Sequence, residues 1–214
     1  MEGLGRLKEK LGVSPSALEL LAAGAARPEP EVKRALEDYQ AAIKASADPL
    51  APYLGSLRGG SEKKGGELFE SHPAAQCMRC HAAGGGHGGG DAGPDLSAIG
   101  KHRDAKYFLE SLVDPGAKIA AGFGLTSITL KGGKTVGGII LEDTKEHVDL
   151  DSSGKVLRVR KSDIETMLPP VSAMPPMGGI LTPAELRDVV AWLGTRKDKD
   201  PEPKKRPEPE LVTP

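Results

Sequence analysis

Cys77-Met78-Arg79-Cys80-His81 is the stretch whose reading decides the fold. Two thiols three residues apart, with a histidine directly after the second, have the spacing that attaches a c-type haem. Each thiol adds to one vinyl group of the porphyrin, and the imidazole reaches the iron. On one helical turn Cys77 and Cys80 share a face, and His81, four residues after Cys77, lies beside them. These are the only two cysteines in the chain. A thioredoxin-like dithiol would need a βαβ setting, whereas the residues after His81 are glycine-rich. Half of a zinc site would need a second Cys/His pair. No second C-x-x-C exists, and His87 and His102 are too far apart for the usual histidine pairing. The expectation is one covalently attached haem c, with Cys77 and Cys80 as thioethers and His81 as the proximal iron ligand.

With 214 residues, the chain is long enough for one main domain and an appendage. The formal net charge of −1 provides no global basic field for nucleic acid. Only 3% of residues are aromatic, so a haem would supply apolar bulk that the side chains do not. Glycine and proline cluster at 82–94, 169–179 and the C-terminus, where loops would wrap a flat cofactor. No run of 18 apolar residues occurs, which predicts no membrane-spanning helix. Arg6, Lys8 and Lys10 precede an alanine-rich stretch in the manner of a signal peptide, but Glu19 interrupts it and Ser14-Pro15 reads better as a helix start. Covalent haem attachment in bacteria takes place outside the cytoplasm. A periplasmic or otherwise exported protein is therefore expected, with Met1 not the true start and the chain a fragment of a longer one.

Outward from the haem motif, residues 14–24 and 30–46 read as two amphipathic helices, the second carrying Val32, Leu36, Tyr39 and Ile43 at helical spacing. Residues 48–60 read as a linker. A helix over about 63–71 puts Gly65 and Phe69 on one face, which lets it cross another helix closely. The stretch 82–91 reads as too flexible to be an element, with His87 a solvated loop residue. Asp104 is a candidate N-cap for a helix running to Val113, stopped by Asp114-Pro115, with Phe108 and Leu112 toward the core. From 124 to 160 the period becomes alternating and predicts about four strands in a meander, resembling a small Sm- or SH3-like barrel. Arg158, Arg160 and Lys161 lie there without stacking aromatics, which argues against a nucleic-acid surface. Met174 and Met177 sit in a proline-stiffened loop, where a thioether can be held ready as a weak sixth iron ligand. Thr182-Pro-Ala-Glu185 is a capping box opening a helix with Leu186, Val189, Val190 and Leu193 on one face. The tail 196–214 is mixed-charge and proline-rich and is expected to be disordered.

Taken together, Gly65…Leu68-Phe69, the haem motif, Gly93-Pro-Asp-Leu-Ser-Ala-Ile99, Tyr107-Phe-Leu-Glu-Ser-Leu-Val-Asp-Pro115, Met174-Pro and Leu181-Thr-Pro-Ala-Glu-Leu-Arg-Asp-Val-Val-Ala-Trp-Leu193 resemble a class I cytochrome c. The narrower resemblance is to the planctomycete-type haem-binding domain, found at the C-terminus of long secreted proteins. It implies a cytochrome c-like helical core at 61–195. With the β-meander or barrel insert at about 124–167, a departure from the family pattern, and the N-terminal helical hairpin and linker at 1–60, outside the resemblance, the expected fold is mainly α. The resemblance also implies Pro94 beside the His81 ring with a nearby carbonyl accepting the Nδ1 proton, the Phe69 helix crossing the Trp192 helix, and Met174 as the distal ligand. Met177 is the alternative to Met174, and His87 or His102 are rivals to both. The expected activity is single-electron transfer without catalysis of its own, with a redox partner or a fused sugar or alcohol dehydrogenase domain as donor. Arg103, Lys106 and Lys118 are candidates for propionate or docking contacts. The alternatives are an electron-accepting fragment of a larger dehydrogenase and a zinc-bound interaction module.

Overall fold

A computed structural model describes residues 17–84, 88–202 and 206–214. Among these residues the α-helices are α1 (Ala17–Ala25), α2 (Pro30–Ala45), α3 (Glu62–Ser71), α4 (Ile99–His102), α5 (Ala105–Val113) and α6 (Pro183–Gly194). The strands are β1 (Gly124–Leu130), β2 (Thr135–Asp143), β3 (His147–Ser152), β4 (Lys155–Arg160), β5 (Ile164–Met167), β6 (Val171–Ser172) and β7 (Glu210–Val212).

The helical half has its own core, in which Phe69, Phe108, Leu109, Leu112, Leu186, Val189, Val190, Trp192 and Leu193 are buried together. Two of the helix-start signals read from the sequence are used. Asp104 accepts the Tyr107 N–H at 2.9 Å to start α5, and the Thr182–Glu185 capping box opens α6. The Asp188 carboxylate, within α6, accepts the Ser61 N–H at 2.8 Å and so anchors the entry to α3. Helices α3 and α6 approach so closely that a Cβ at Gly65 would overlap the Asp188 carbonyl and the Trp192 Cβ. Phe69, one turn on, stacks obliquely on Trp192, with ring centroids 4.5 Å apart at 35°.

Residues 48–60 do not behave as a linker. Leu50, Ala51 and Ser56 are buried, the Ser56 hydroxyl donates to the Pro183 carbonyl at 2.7 Å, and Tyr53 reaches the Gly178 carbonyl at 3.3 Å. Short 3-10 turns over Ala51–Leu57 bring these side chains to one side without an apolar periodicity long enough to read. The helices expected at 14–24 and 30–46 are present as α1 and α2, with Leu20 and Val32 buried. The Ser14-Pro15 start lies outside the described residues.

The expected mainly α, cytochrome c-like class is overturned by the sheet, which is a principal layer rather than a small insert. Seven strands form one mixed sheet in the order β5-β1-β2-β3-β4-β7, with β6 also pairing with β1. The four central strands form the antiparallel meander read from the alternating pattern. The turn between β3 and β4 has Ser153 and Gly154 both at positive φ, as a two-residue hairpin requires. The strand order runs open from β5 to β7, so the meander does not close into a barrel among the described residues. Ile128, Leu130, Val148, Leu150 and Val159 form a second core beneath it.

The tail is the second correction. It turns back along the protein, with the Asp198 N–H on the Ser97 carbonyl and the Gly100 N–H on the Arg196 carbonyl. It then adds β7 parallel to β4 and buries Val212. A three-residue strand carries no periodic signal. It forms because β4 offers an open edge, and a parallel partner must arrive through a long connection.

Candidate functional site

The Cys77–Arg79 stretch is one 3-10 turn, entered through Gln76 in the left-handed region. Side chains three apart eclipse in that geometry, so Cys77 and Cys80 lie on one side. The Cys80 and His81 amides both donate to the Cys77 carbonyl, at 3.1 and 3.0 Å. Both cysteines are free thiols, Cys77 half-buried and Cys80 exposed. The stretch from Phe69 to Cys77, eight positions on, is shaped by His72, whose Nδ1 accepts the Ala75 N–H at 3.0 Å and whose carbonyl accepts the Gln76 N–H at 3.1 Å.

The glycine-rich stretch after His81 differs from the expectation of a free loop. Gly90 N–H donates to the Met78 carbonyl at 2.8 Å, and Gly93 N–H donates to the Cys80 carbonyl at 2.7 Å. The backbone is thus folded back over the motif so tightly that a Cβ at Gly90 would overlap the Arg79 carbonyl and one at Gly93 the His81 ring. The glycines therefore serve close approach as well as freedom. His87, named as a rival ligand, lies outside the described residues.

This closure places the Pro94 carbonyl 2.8 Å from His81 Nδ1. A carbonyl only accepts, so Nδ1 carries the proton and Nε2 keeps its lone pair, the tautomer a metal-ligating histidine needs. Burial holds the His81 pKa below the ordinary histidine value even though the Pro94 bond favours the charged form. The imidazole is therefore kept neutral, as ligation requires. Burial raises the Cys77 pKa, with the neighbouring Cys80 adding to the effect. A reactive redox dithiol calls for the opposite shift. No cluster of three metal-ligating side chains that includes Cys77, Cys80 and His81 occurs among the described residues.

The two methionines are separated by their packing. Met177 is 3% exposed and heads a 3-10 turn whose carbonyl accepts the Ile180 and Leu181 amides, while Gly178 beside it sits against Tyr53. Met177 is therefore a core residue, although the loop shows no amphipathic stripe. Met174 is only partly buried and packs at the margin of the same cluster, to which Cys77, Met78, Leu96 and Tyr107 also belong. Its N–H donates to the Ser172 hydroxyl at 3.2 Å.

The donor set suits a covalent haem c: two unpaired thiols on one side of a turn, a neutral imidazole with Nε2 free, and a thioether at the margin of an apolar cluster. The other candidates are placed elsewhere. His102 bonds the Asp200 carboxylate at 2.6 Å on the surface. Arg103 lies over the Tyr107 ring at 4.8 Å, and Lys118 pairs with Glu110 at 2.5 Å. With Lys106, these residues line an open groove of about 560 Å³. Arg158, Arg160 and Lys161 each pair with a carboxylate, at 2.7, 3.7 and 2.6 Å, and present no free basic stripe. A group the sequence reading missed, Glu142, His147 and Asp149, converges on the sheet. Its members come from two strands, and no spacing rule joins them.

No helix among the described residues is long and apolar enough to cross a membrane. No family model matches the chain, and no curated protein matches it.

Proposed function

We propose that the chain binds one haem c covalently through Cys77 and Cys80, with His81 as the proximal iron ligand and Met174 as the distal one, and that it passes single electrons. The observation that carries this reading is the His81 Nδ1 to Pro94 carbonyl bond at 2.8 Å, made by a loop folded over the same turn that holds both thiols. Haem iron supplies reversible one-electron chemistry, and the protein tunes it through axial ligands and burial. The Pro94 carbonyl orients the imidazole and raises its basicity, the glycines at 90 and 93 allow the backbone to close on it, and the helical core supplies an apolar wall through Met78, Leu96 and Tyr107. The ordered pieces that resemble planctomycete-type haem-binding domains support the same assignment. They also favour a setting outside the cytoplasm, with a dehydrogenase, separate or fused, as donor.

Production with a c-type maturation system tests the proposal. The reduced protein should show a c-type α-band, and the haem should stay with the protein in acidified organic solvent. Cys77→Ala or Cys80→Ala should leave one thioether and lower the holo-protein yield, while the double variant should release any remaining haem. Haem retained through extraction by the double variant, or a parent without the α-band whose bound zinc is lost on replacing Cys77 and Cys80, overturns the reading.

A further inference from the structure

Strand β3 carries His147 and Asp149 two residues apart, which puts both on one face of the sheet. The β2–β3 register shifts between Ile140 and Glu142, so that Glu142 comes directly opposite Asp149. Like charges placed opposite each other across strands are destabilising, and an irregularity of this kind re-aims side chains. His147 Nε2 lies between the two carboxylates, 3.9 Å from Glu142 Oε2 and 3.8 Å from Asp149 Oδ1. The three ligand atoms are all within 4.8 Å of one another. Nε2 is shut off from solvent and has no hydrogen-bond partner. At its other end the ring is held by the Thr144 hydroxyl, 3.2 Å from Nδ1. The Asp149 side chain is 9% exposed, whereas that of Glu142 is 56% exposed and gives access from solvent.

Two cations also face the group. Arg158 on β4 donates to both Asp149 oxygens, at 2.8 and 2.7 Å, and Arg206, whose charge reaches Asp149, donates to the Leu141 carbonyl at 3.2 Å. The Arg158 fork leaves each Asp149 oxygen a second lone pair. Neither guanidinium satisfies His147 Nε2.

We propose that Glu142, His147 and Asp149 bind a divalent transition-metal ion of the zinc type. One imidazole with two carboxylates matches zinc, cobalt or nickel better than calcium or magnesium, which take all-oxygen shells. Bonds of about 2.1 Å in a tetrahedral site place ligand atoms roughly 3.4 Å apart, so the 3.8 Å between His147 and Asp149 closes with a shift of roughly 0.4 Å and the distances to Glu142 with a swing of its exposed side chain. Water would complete the shell. The ion would clamp β2 to β3 across the register shift, independently of haem.

The test uses the full chain with its thiols either thioether-linked or alkylated, titrated with zinc chloride by calorimetry and with cobalt chloride by visible absorption. One saturable equivalent is expected, together with cobalt ligand-field bands and a rise in melting temperature with added zinc. His147→Gln and Glu142→Gln should each weaken binding about 10-fold or more, and His102→Gln should not. Glu142 is exposed, so its substitution keeps the test valid if His147→Gln fails to fold. Absence of saturable binding below about 1 mM, or equal affinity in parent and Glu142→Gln, overturns the proposal.

Discussion

Replacing Phe69 by alanine tests the helix crossing that supports the Cys77–His81 turn. The ring is 3% exposed and stacks on Trp192 at 4.5 Å, so its removal forfeits both burial and an aromatic pair. Burial of an aromatic side chain contributes about 2–3 kcal/mol. The pair adds about 0.5–1.5 kcal/mol. Close helix approach at Gly65 leaves little room for the crossing to collapse into the space left behind, which places the expected loss at about 3–5 kcal/mol. Trp192 is the only tryptophan of the chain, so its fluorescence in a urea titration reports this core and not the sheet. With a slope of about 2 kcal/mol per molar urea, the midpoint should fall by roughly 2 M. A fall of under about 0.5 M at unchanged slope would mean that the ring contributes little, and the account of the crossing would be wrong.

On the proposed ligation, Met174→Ala should abolish the weak sulfur-to-iron charge-transfer band of the oxidised haem protein and lower its potential. Met177→Ala should leave the band and cost about 2–5 kcal/mol of stability, because Met177 is core; a band lost only in the Met177 variant would reverse the assignment. The Arg158 fork holds the Asp149 carboxyl below the usual aspartate value. A depressed folded pKa gives stability that is fully present above the unfolded value of about 3.9 and is lost as pH falls through the folded one. In metal-free buffer the stability advantage of the parent over Asp149→Asn should therefore be constant near neutrality and fade in acid, and an advantage that grew in acid would contradict the pairing. Deleting residues 207–214 removes β7 and uncovers the β4 edge, at a cost of about 1.5–3 kcal/mol for Val212. Hydrogen exchange at the β4 amides should speed up accordingly, and unchanged protection there would mean that the strand contributes nothing.

Much of the helical half was legible because its signals are local. Asp104 before α5, Asp114-Pro115 after it, and the Thr182–Glu185 box of α6 act through hydrogen bonds between residues three or four apart, which a linear reading can find. The meander was legible for the same reason, since alternation and the Asp151–Gly154 turn lie within a few residues of one another. The Phe69–Trp192 contact came from placing Gly65 and Phe69 on one face, with the partner helix supplied by resemblance. Residues 48–60 and the tail were misread because composition describes what a segment cannot bury alone, and both are held by partners far along the chain, Pro183 for Ser56 and β4 for β7.

The sequence by itself determined the placement of two thiols and an imidazole on one turn at 77–81, because the five-residue spacing sets it locally, and the haem chemistry proposed there rests on that spacing. Tertiary structure decided what that spacing leaves open. It chose the Pro94 carbonyl as the His81 partner, buried Met177 while leaving Met174 at the margin of the core, and made the sheet a principal layer. It also brought Glu142 opposite Asp149 beside His147. Each of these depends on long-range closure, in which a hydrogen bond or a buried contact becomes favourable only after distant segments have met.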